Sequence, residues 1–543
     1  VTVQLSNSIL IIDGLICFLI LSGARVAVRL LREYFHAASR VVHNGTEKIL
    51  IVGAGAAGQS IAREIRQDPH QNRRVIGFVD QDATRVKQRF EGIPVLATID
   101  GLKELLLSQP VNLVVLANPA LCHKELRKIV MTCQSCGVKS KILPNIHEIL
   151  SDSVSIRHAR DVKLEDLLGR PPVHLDVGNI RGYLANKRVV VTGAAGSIGR
   201  EICRQVADFG ARSIILFDNA ETPLFQVDLD LKREFSGVEF IPLLRDARNS
   251  SQVDSAFRQY CPDVVFHAAA YKHVPMSECN PLVTLENNVI GTRNLVNAAD
   301  RFKVKHFVMI STDKAVNPTN IMGASKRAAE LYAQSMARKS LTKIATVRFG
   351  NVLGSNGSVV PIFNEQILKG GPVTVTDHRV TRFFMTIPEA VQLVMQAGSM
   401  GEGGEIFVLD MGEQIKIVHL AEELIRLSGM KPYKDIDIVF TGLRPGEKLH
   451  EELLHADENV MKTDHVKICI AQACWHDLDV LNHSLDGLLI ACQAMDRNRA
   501  MEIISEIVPE FTSTTFSQRR SPERLPVVRP KVINFPLNIA ETV

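Results

Sequence analysis

The chain has 543 residues, 46% hydrophobic and 22% charged, which excludes wholesale disorder and allows three or four domains, or two large ones with additions. Its 63 Lys and Arg stand against 59 Asp and Glu, so a net charge of +4 gives no electrostatic case for a nucleic-acid partner. Ten Cys are too sparse for a disulfide scaffold, and one Trp with six Tyr argues against aromatic-rich binding modules.

Residues 9–21 read ILIIDGLICFLIL, apolar apart from Asp13. As a helix this run reaches only about 20–22 Å, short of a hydrocarbon core of about 30 Å. Arg25, Arg29 and Arg32 follow it, the wrong order for a signal peptide but the right one for a membrane segment whose far side is cytoplasmic. Residues 24–35 read as a basic amphipathic helix suited to headgroups. An ordinary buried helix, and a chain that starts inside a membrane segment, are the competing readings. The expectation is a partial membrane segment over 1–45. It would hold the body on the cytoplasmic side of the inner membrane, or leave it in the cytoplasm if the segment does not insert.

Residues 46–150 read as a Rossmann-like domain. A strand over 47–53 runs into Gly53-Ala-Gly55-Ala-Ala-Gly58, then a helix over 59–67, then a strand over 74–80 that ends in Asp80. Strand, GxGxxG, helix, strand and acid form the dinucleotide fingerprint, with the helix N-terminus facing a pyrophosphate. Gly53, Gly55, Gly58 and Asp80 thus mark a candidate second nucleotide site; a domain that is scaffold or sensor stays open beside it. Further strands are expected over 112–117 and 137–143. Cys133 and Cys136 are spaced as CxxC, but no second pair follows at zinc spacing, which leaves two small residues near a helix end or a redox pair. Residues 151–186 read as a linker with a short helix, broken at Gly169-Arg-Pro-Pro172.

The second unit, 187–465, repeats the plan. A strand over 187–192 meets Gly193-Ala-Ala-Gly196-Ser197-Ile198-Gly199, then a helix over 200–209 and a strand over 213–218 that ends in Asp218. Thr192 and Ser197 offer hydroxyls to phosphate. Asp218 can accept from both ribose hydroxyls and would repel a 2′-phosphate, so the pattern favours NAD over NADP. A strand over 240–244 leads to Asp246. The next, DVVFHAAA, ends in Ala268, Ala269 and Ala270, small enough for a flat cofactor to lie against.

The most informative stretch is FVMISTDKAVNPTNIMGASKRAAE over 307–330. A strand ends in Ser311-Thr312-Asp313-Lys314, and a helix then carries Met322 and Lys326 on one face. This arrangement resembles the catalytic strand end and helix of extended short-chain dehydrogenases, where Tyr is the general base and Lys lowers its pKa. Here Met322 holds the Tyr position, and a thioether takes up no proton near neutrality.

HAAAYKHVP (267–275), STDKAVNPTNIMGASK, RFGNVLGSNGSV (348–359) and LRPGEKLHEEL (443–453) make the chain similar to the membrane-associated bacterial UDP-N-acetylglucosamine 4,6-dehydratases of polysaccharide and glycan biosynthesis. Met in place of Tyr is that family's own pattern. The resemblance covers residues 10–465 and departs at the start, where the family has several membrane helices.

It implies an α/β fold with two Rossmann-like doubly wound parallel-sheet domains and a smaller mixed α/β substrate lobe on the second. It also implies C4 oxidation by NAD, loss of water across C5 and C6, and return of the hydride to C6. In that scheme Lys326 holds the nicotinamide ribose and Thr312 binds the C4 oxygen. Asp313 is the candidate acid for the C6 hydroxyl and Lys314 the candidate base at C5. Gly193, Gly196, Ser197, Ile198, Gly199, Asp218, Asp246 and Ala268–Ala270 would hold NAD. Lys272, Asn351, Arg382, Arg444 and Glu447 would meet the UDP-sugar. A homo-oligomer is expected. Residues 466–543 read as a helical extension and a flexible Arg-, Pro- and Ser-rich tail without chemistry. A UDP-sugar epimerase of the same superfamily, or a non-enzymatic NAD or UDP-sugar sensor, are the alternatives.

Overall fold

The computed structural model describes residues 47–68, 72–118, 121–143, 156, 159–162, 166, 173–454, 460–471 and 476–513. The expected membrane segment over 1–45, the Gly-Arg-Pro-Pro break and the Arg-rich tail lie outside them. Among the described residues no helix is long and apolar enough to cross a membrane. Two compact units divide the chain, 1–163 and 164–543.

In the first unit, β1 (Glu47–Val52), α1 (Ala56–Gln67) and β2 (Arg73–Asp80) precede β3 (Arg89–Phe90), β4 (Ile93–Thr98) and α2 (Leu102–Ser108). Then come β5 (Leu113–Leu116), α3 (His123–Ser135), β6 (Lys139–Ile142) and β7 (Arg160–Asp161). The sheet order is β3-β4-β2-β1-β5-β6-β7, parallel except at the two short edge strands. Ile49, Ile51, Val115 and Phe78 face Ile61 and Ile65 of α1 in its core. The run LVVL of β5 is buried throughout, as a central parallel strand must be.

The second unit opens earlier than expected, within the segment read as linker. There α4 (Val177–Leu184) buries Ile180 and Leu184 in the second unit's core, and the Tyr183 hydroxyl donates to Met395 O at 3.0 Å. The alternation then follows as β8 (Arg188–Thr192), α5 (Ser197–Asp208), β9 (Ser213–Asp218), α6 (Glu221–Glu234), β10 (Glu239–Leu244), α7 (Ser250–Tyr260) and β11 (Val264–His267). A π turn over Glu286–Ile290 leads into α8 (Gly291–Arg301). After it come β12 (His306–Thr312), α9 (Ile321–Ala337), β13 (Lys343–Phe349), α10 (Ile387–Met400), β14 (Ile406–Leu409), β15 (Val460–Lys462) and β16 (Ile468–Ala471). The nine strands order as β10-β9-β8-β11-β12-β13-β14-β16-β15, and the last two pairings are antiparallel. β8 and β11 are parallel, but successive strands are added on one side of β8 up to β10 and on the other side from β11, so a crevice opens at their C-terminal ends, where such sheets bind ligands.

Two helices from the region expected as an extension, α11 (Leu478–Gln493) and α12 (Arg497–Ile507), belong to this core. They cover α9, which is buried from Ile321 to Ser335. A helix buried on all faces needs apolar partners all round. Leu481, Leu485, Leu488, Ile503, Ile504 and Ile507 help supply them. Each such side chain contributes about 1.5–3 kcal/mol on burial. The expected substrate lobe forms a separate cluster, with helices Val359–Leu368 and Ile417–Leu427 against the paired strands Val373–Val375 and Ile438–Phe440.

Candidate active site

The turn after β8 is shaped by contact with the next strand. Gly193 has φ +67°, and a Cβ there would lie 2.7 Å from Ala269 N. A Cβ on Gly199 would lie 2.0 Å from Gly193 O, so α5 can start this close to the turn only without one. Asp218 at the end of β9 accepts from Ala195 N at 3.0 Å and from Ala220 N at 2.9 Å, which aims its carboxylate across the mouth of the turn. The Thr192 hydroxyl is turned away from any phosphate. It pairs with His267 Nδ1 at 2.7 Å, and His267 Nε2 pairs with Thr292 Oγ1 at 2.8 Å. Burial, with Lys326 nearby, drives His267 down to about 3, so the ring is neutral at physiological pH. Ser197 accepts from Asn356 N at 3.0 Å and stays on the cavity wall.

A cavity of about 920 Å³ runs from this turn to the substrate lobe. It is lined by Gly193, Gly196, Ser197, Ile198, Gly199, Ala268, Ala270, Lys272, Thr312, Lys314, Met322, Lys326, Asn351, Arg382, Arg444 and Glu447. Asp218, Asp246, Ala269 and Asp313 are not on its wall. Asp246 is committed instead to Arg248, at 2.5 Å from its Nη2. The open turn, the carboxylate at the strand end and the small residues after β11 together fit a dinucleotide.

At the end of β12 the backbone tightens into a single turn over Asp313–Ala315. Three consecutive side chains therefore converge. Asp313 Oδ1 accepts from Thr312 Oγ1 at 2.9 Å and from Lys314 Nζ at 2.8 Å. Lys314 Nζ also donates to Asn351 Oδ1 at 3.0 Å. Asp313 is fully buried, and its Oδ2 has no hydrogen-bond partner among the described residues. Burial pushes the Lys314 ammonium down, but Asp313 and then Glu451 outweigh it and hold the group above its ordinary value. Opposite, Met322 and Lys326 are 4% and 5% exposed on the first turns of α9. Burial takes Lys326 down to about 8. Gly323 lets α9 start against the reactive turn, since a Cβ there would lie 2.2 Å from Lys314 O.

Two expected substrate contacts line the cavity and also bond within the protein. Asn351 holds Lys314. Arg382 donates through Nη1 to Thr381 O and Leu449 O at 2.7 and 3.1 Å, and through Nη2 to Lys448 O at 2.9 Å. Arg444 is exposed at the cavity, with Glu447 accepting from its backbone N–H at 3.2 Å. Lys272 lies 3.4 Å from Ser355 Oγ, and burial lowers its pKa. Glu451, in the LRPGEKLHEEL stretch, is a further site residue that the sequence did not single out. This buried carboxylate lies 3.8 Å from Lys314 Nζ and 3.7 Å from Arg382 Nε. Among the described residues its Oε2 has no hydrogen-bond partner.

In the first unit Gly53 (φ +103°) and Gly58 form a similar tight turn, while a Cβ on Gly55 would meet nothing within 4 Å. Asp80 accepts from Ala54 N at 2.7 Å and Asp82 N at 3.0 Å, the counterpart of Asp218, and adds Arg85 at 3.4 Å. Cys133 is buried, and burial lifts its thiol to about 12, which opposes thiolate chemistry.

Sheet order, glycine turn, strand-end acid and the Thr312–Lys326 constellation define an extended short-chain dehydrogenase/reductase of the nucleotide-sugar dehydratase and epimerase kind. Residues 189–473 match the family model described as "Polysaccharide biosynthesis protein", and the chain belongs to that family. Residues 2–144 match a model described as "CoA-binding domain". The capsular polysaccharide biosynthesis protein CapD of Staphylococcus aureus is 44% identical over 81% of this chain and 73% of its own length. A UDP-glucose 4-epimerase of Rickettsia canadensis is 36% identical over 51% of this chain and 81% of its own. An inverting UDP-N-acetylglucosamine 4,6-dehydratase of Campylobacter jejuni is 33% identical over 50% and 79%.

Proposed function

We propose that the chain is an NAD-dependent 4,6-dehydratase that converts UDP-N-acetylglucosamine to a UDP-4-keto-6-deoxy-N-acetylhexosamine for surface polysaccharide. The observation that carries this reading is that Thr312 and Lys314 line the cavity with Met322, which has no proton to exchange, while both bond to the buried carboxylate of Asp313 behind them. NAD, when bound, supplies the oxidation at C4 and the matching reduction at C6. Lys326 would grip its ribose, and Asp218 the adenosine ribose. Thr312 would hold the C4 oxygen.

Elimination needs an acid at the C6 hydroxyl and a base at C5 at once. The Asp313–Lys314 pair can supply both. Moving one proton from Lys314 Nζ to Asp313 Oδ1, across 2.8 Å, leaves a neutral amine and a protonated carboxyl. A substrate that drives water from the cavity favours this neutral pair over the ion pair, because burial penalises charge. Lys314 then takes the C5 proton, and Asp313 protonates the departing hydroxyl. Asn351 and Glu451 keep Lys314 in place. Arg444 is the arginine available to the diphosphate, whereas Arg382 holds the segment that carries it. Membrane attachment through residues 1–45 and homo-oligomer formation belong to the same proposal.

The Rickettsia relative supports a second reading, 4-epimerisation, which would want a proton-transferring Tyr where Met322 stands. Incubation with UDP-N-acetylglucosamine in deuterated water separates the two. A 4-keto product lighter by one water, with deuterium at C5, is the expected result. An epimer of unchanged mass refutes dehydration.

A further inference from the structure

Three of the elements that deliver site residues also deliver neighbours to one buried ion cluster. Ser311 precedes Thr312, Arg327 follows Lys326, and Arg348 comes just before Gly350 and Asn351. Glu330 of α9 joins them. Its carboxylate accepts from Ser311 Oγ at 2.7 Å, Arg348 Nε at 2.8 Å and Nη2 at 2.6 Å, and Arg327 Nη1 at 3.1 Å. Glu330 and Arg348 are 0% exposed. One buried carboxylate cannot balance two guanidiniums. The second negative charge comes from beyond α12, where Glu510 Oε1 accepts from Arg327 Nε at 2.8 Å. Two residues on, Thr512 N–H donates to Pro318 O at 3.0 Å, in the loop between Lys314 and Met322. The other side of that loop is held by the substrate segment, since Thr319 and Asn320 donate to Gly446 O at 2.9 and 3.0 Å.

We infer that residues 508–513 clamp the reactive loop, with Glu510 as a positioning residue for the site. Glu510 neutralises Arg327 and so fixes the start of α9, which carries Met322 and Lys326. Thr512 fixes Pro318 and so the path of the chain out of Asp313–Lys314. The matched family region ends at residue 473, so the clamp is contributed from outside it. The reactive loop therefore lies between two clasps, one from the substrate segment and one from the chain's C-terminal part. A merely packed extension would leave the loop indifferent to the charge at position 510. This inference rests on the dehydratase reading only for its kinetic test.

The full chain is compared with Glu510→Gln, Glu510→Asp and Thr512→Pro by amide hydrogen exchange and by turnover of UDP-N-acetylglucosamine. Exchange across 313–322 rises about tenfold in Glu510→Gln and Thr512→Pro, while peptides of β8 and β9 are unchanged. The kcat of Glu510→Gln falls about tenfold or more with KM within about twofold, and Glu510→Asp recovers most of it. Unchanged exchange over 313–322 in both variants overturns the clamp. So does a Glu510→Asp chain as impaired as Glu510→Gln, with exchange raised throughout α11 and α12, because the role is then only structural. If the wild-type chain leaves the sugar untouched, the dehydratase reading fails and the exchange result alone decides the clamp.

Discussion

Replacing Lys326 by Met should make the protein more stable and less active, and the gain should depend on pH. Lys326 is 5% exposed on a helix buried on all sides, and burial takes its ammonium from 10.5 to about 8, with Glu330 opposing in part. At 1.36 kcal/mol per pH unit, that depression amounts to about 3 kcal/mol of penalty on the charged form. The sign follows from proton counts. Below pH 8 the folded and unfolded chains both carry the proton, and folding bears the full penalty. Between 8 and 10.5 the unfolded chain binds more protons, so stability rises with pH. The variant has no such term. Its advantage is therefore about 3 kcal/mol at pH 7 and about 1.4 kcal/mol at pH 9.5. Met matches the length of the Lys stem, so little packing is lost. The assay is the thermal midpoint of cofactor-free protein at matched pH. Turnover should fall about 100-fold or more, since the ribose grip is gone. A variant less stable than wild type at pH 7, or a gain independent of pH, refutes the reasoning.

Three further outcomes follow from the same geometry. Gly350→Ala would set a methyl 2.9 Å from Phe383 Cβ and 3.1 Å from Asp313 Oδ2; it should cost about 1–3 kcal/mol and lower kcat about 100-fold at unchanged KM, and wild-type kcat refutes it. Glu330→Gln should cost about 3–5 kcal/mol at pH 7. Burial raises the Glu330 pKa, but Arg348 and Arg327 hold it at about 2, so its contribution is full above 4.5 and fades as pH falls towards 2; a loss equal at pH 3 and pH 7 contradicts this. Arg444→Ala should raise KM about tenfold without moving the thermal midpoint, whereas Arg382→Lys should lower that midpoint by removing bonds to three backbone carbonyls. The reverse pattern would exchange their roles.

Much of this molecule was legible because its signals are local. The turn Gly193–Gly199, the acid at the end of β9 and the alanines after β11 sit within one βα repeat each, and periodicity exposes them. What escaped depends on distant partners. The 177–184 helix looked like linker because its apolar face is short; only the core of the second unit explains it. Thr192 has a hydroxyl at the right place in a phosphate turn, yet His267, 75 residues on, takes it. Arg382 has the chemistry of a phosphate fork, but carbonyls at 448 and 449 consume its donors. Glu451 stands among several charged residues, and nothing in the spacing tells which one turns inward. The helices after 476 read as an appendage, although they belong to the cluster that buries α9.

A straight strand end would set a specific difficulty. Adjacent side chains on an extended strand point to opposite faces, so Thr312, Asp313 and Lys314 could not all serve one substrate. The turn over Asp313–Ala315 removes the difficulty by leaving β12 immediately after Thr312. Its tightness brings the Thr312 hydroxyl and the Lys314 ammonium to the same oxygen of Asp313. A tyrosine at 322 would place a second titrating group across the cavity from this cluster. With Met322 there, the proposed reaction keeps its proton transfers at the strand end. In that reaction the helix contributes the buried cation at Lys326, and the cost of that cation is what the pH-dependent stability of Lys326→Met would measure.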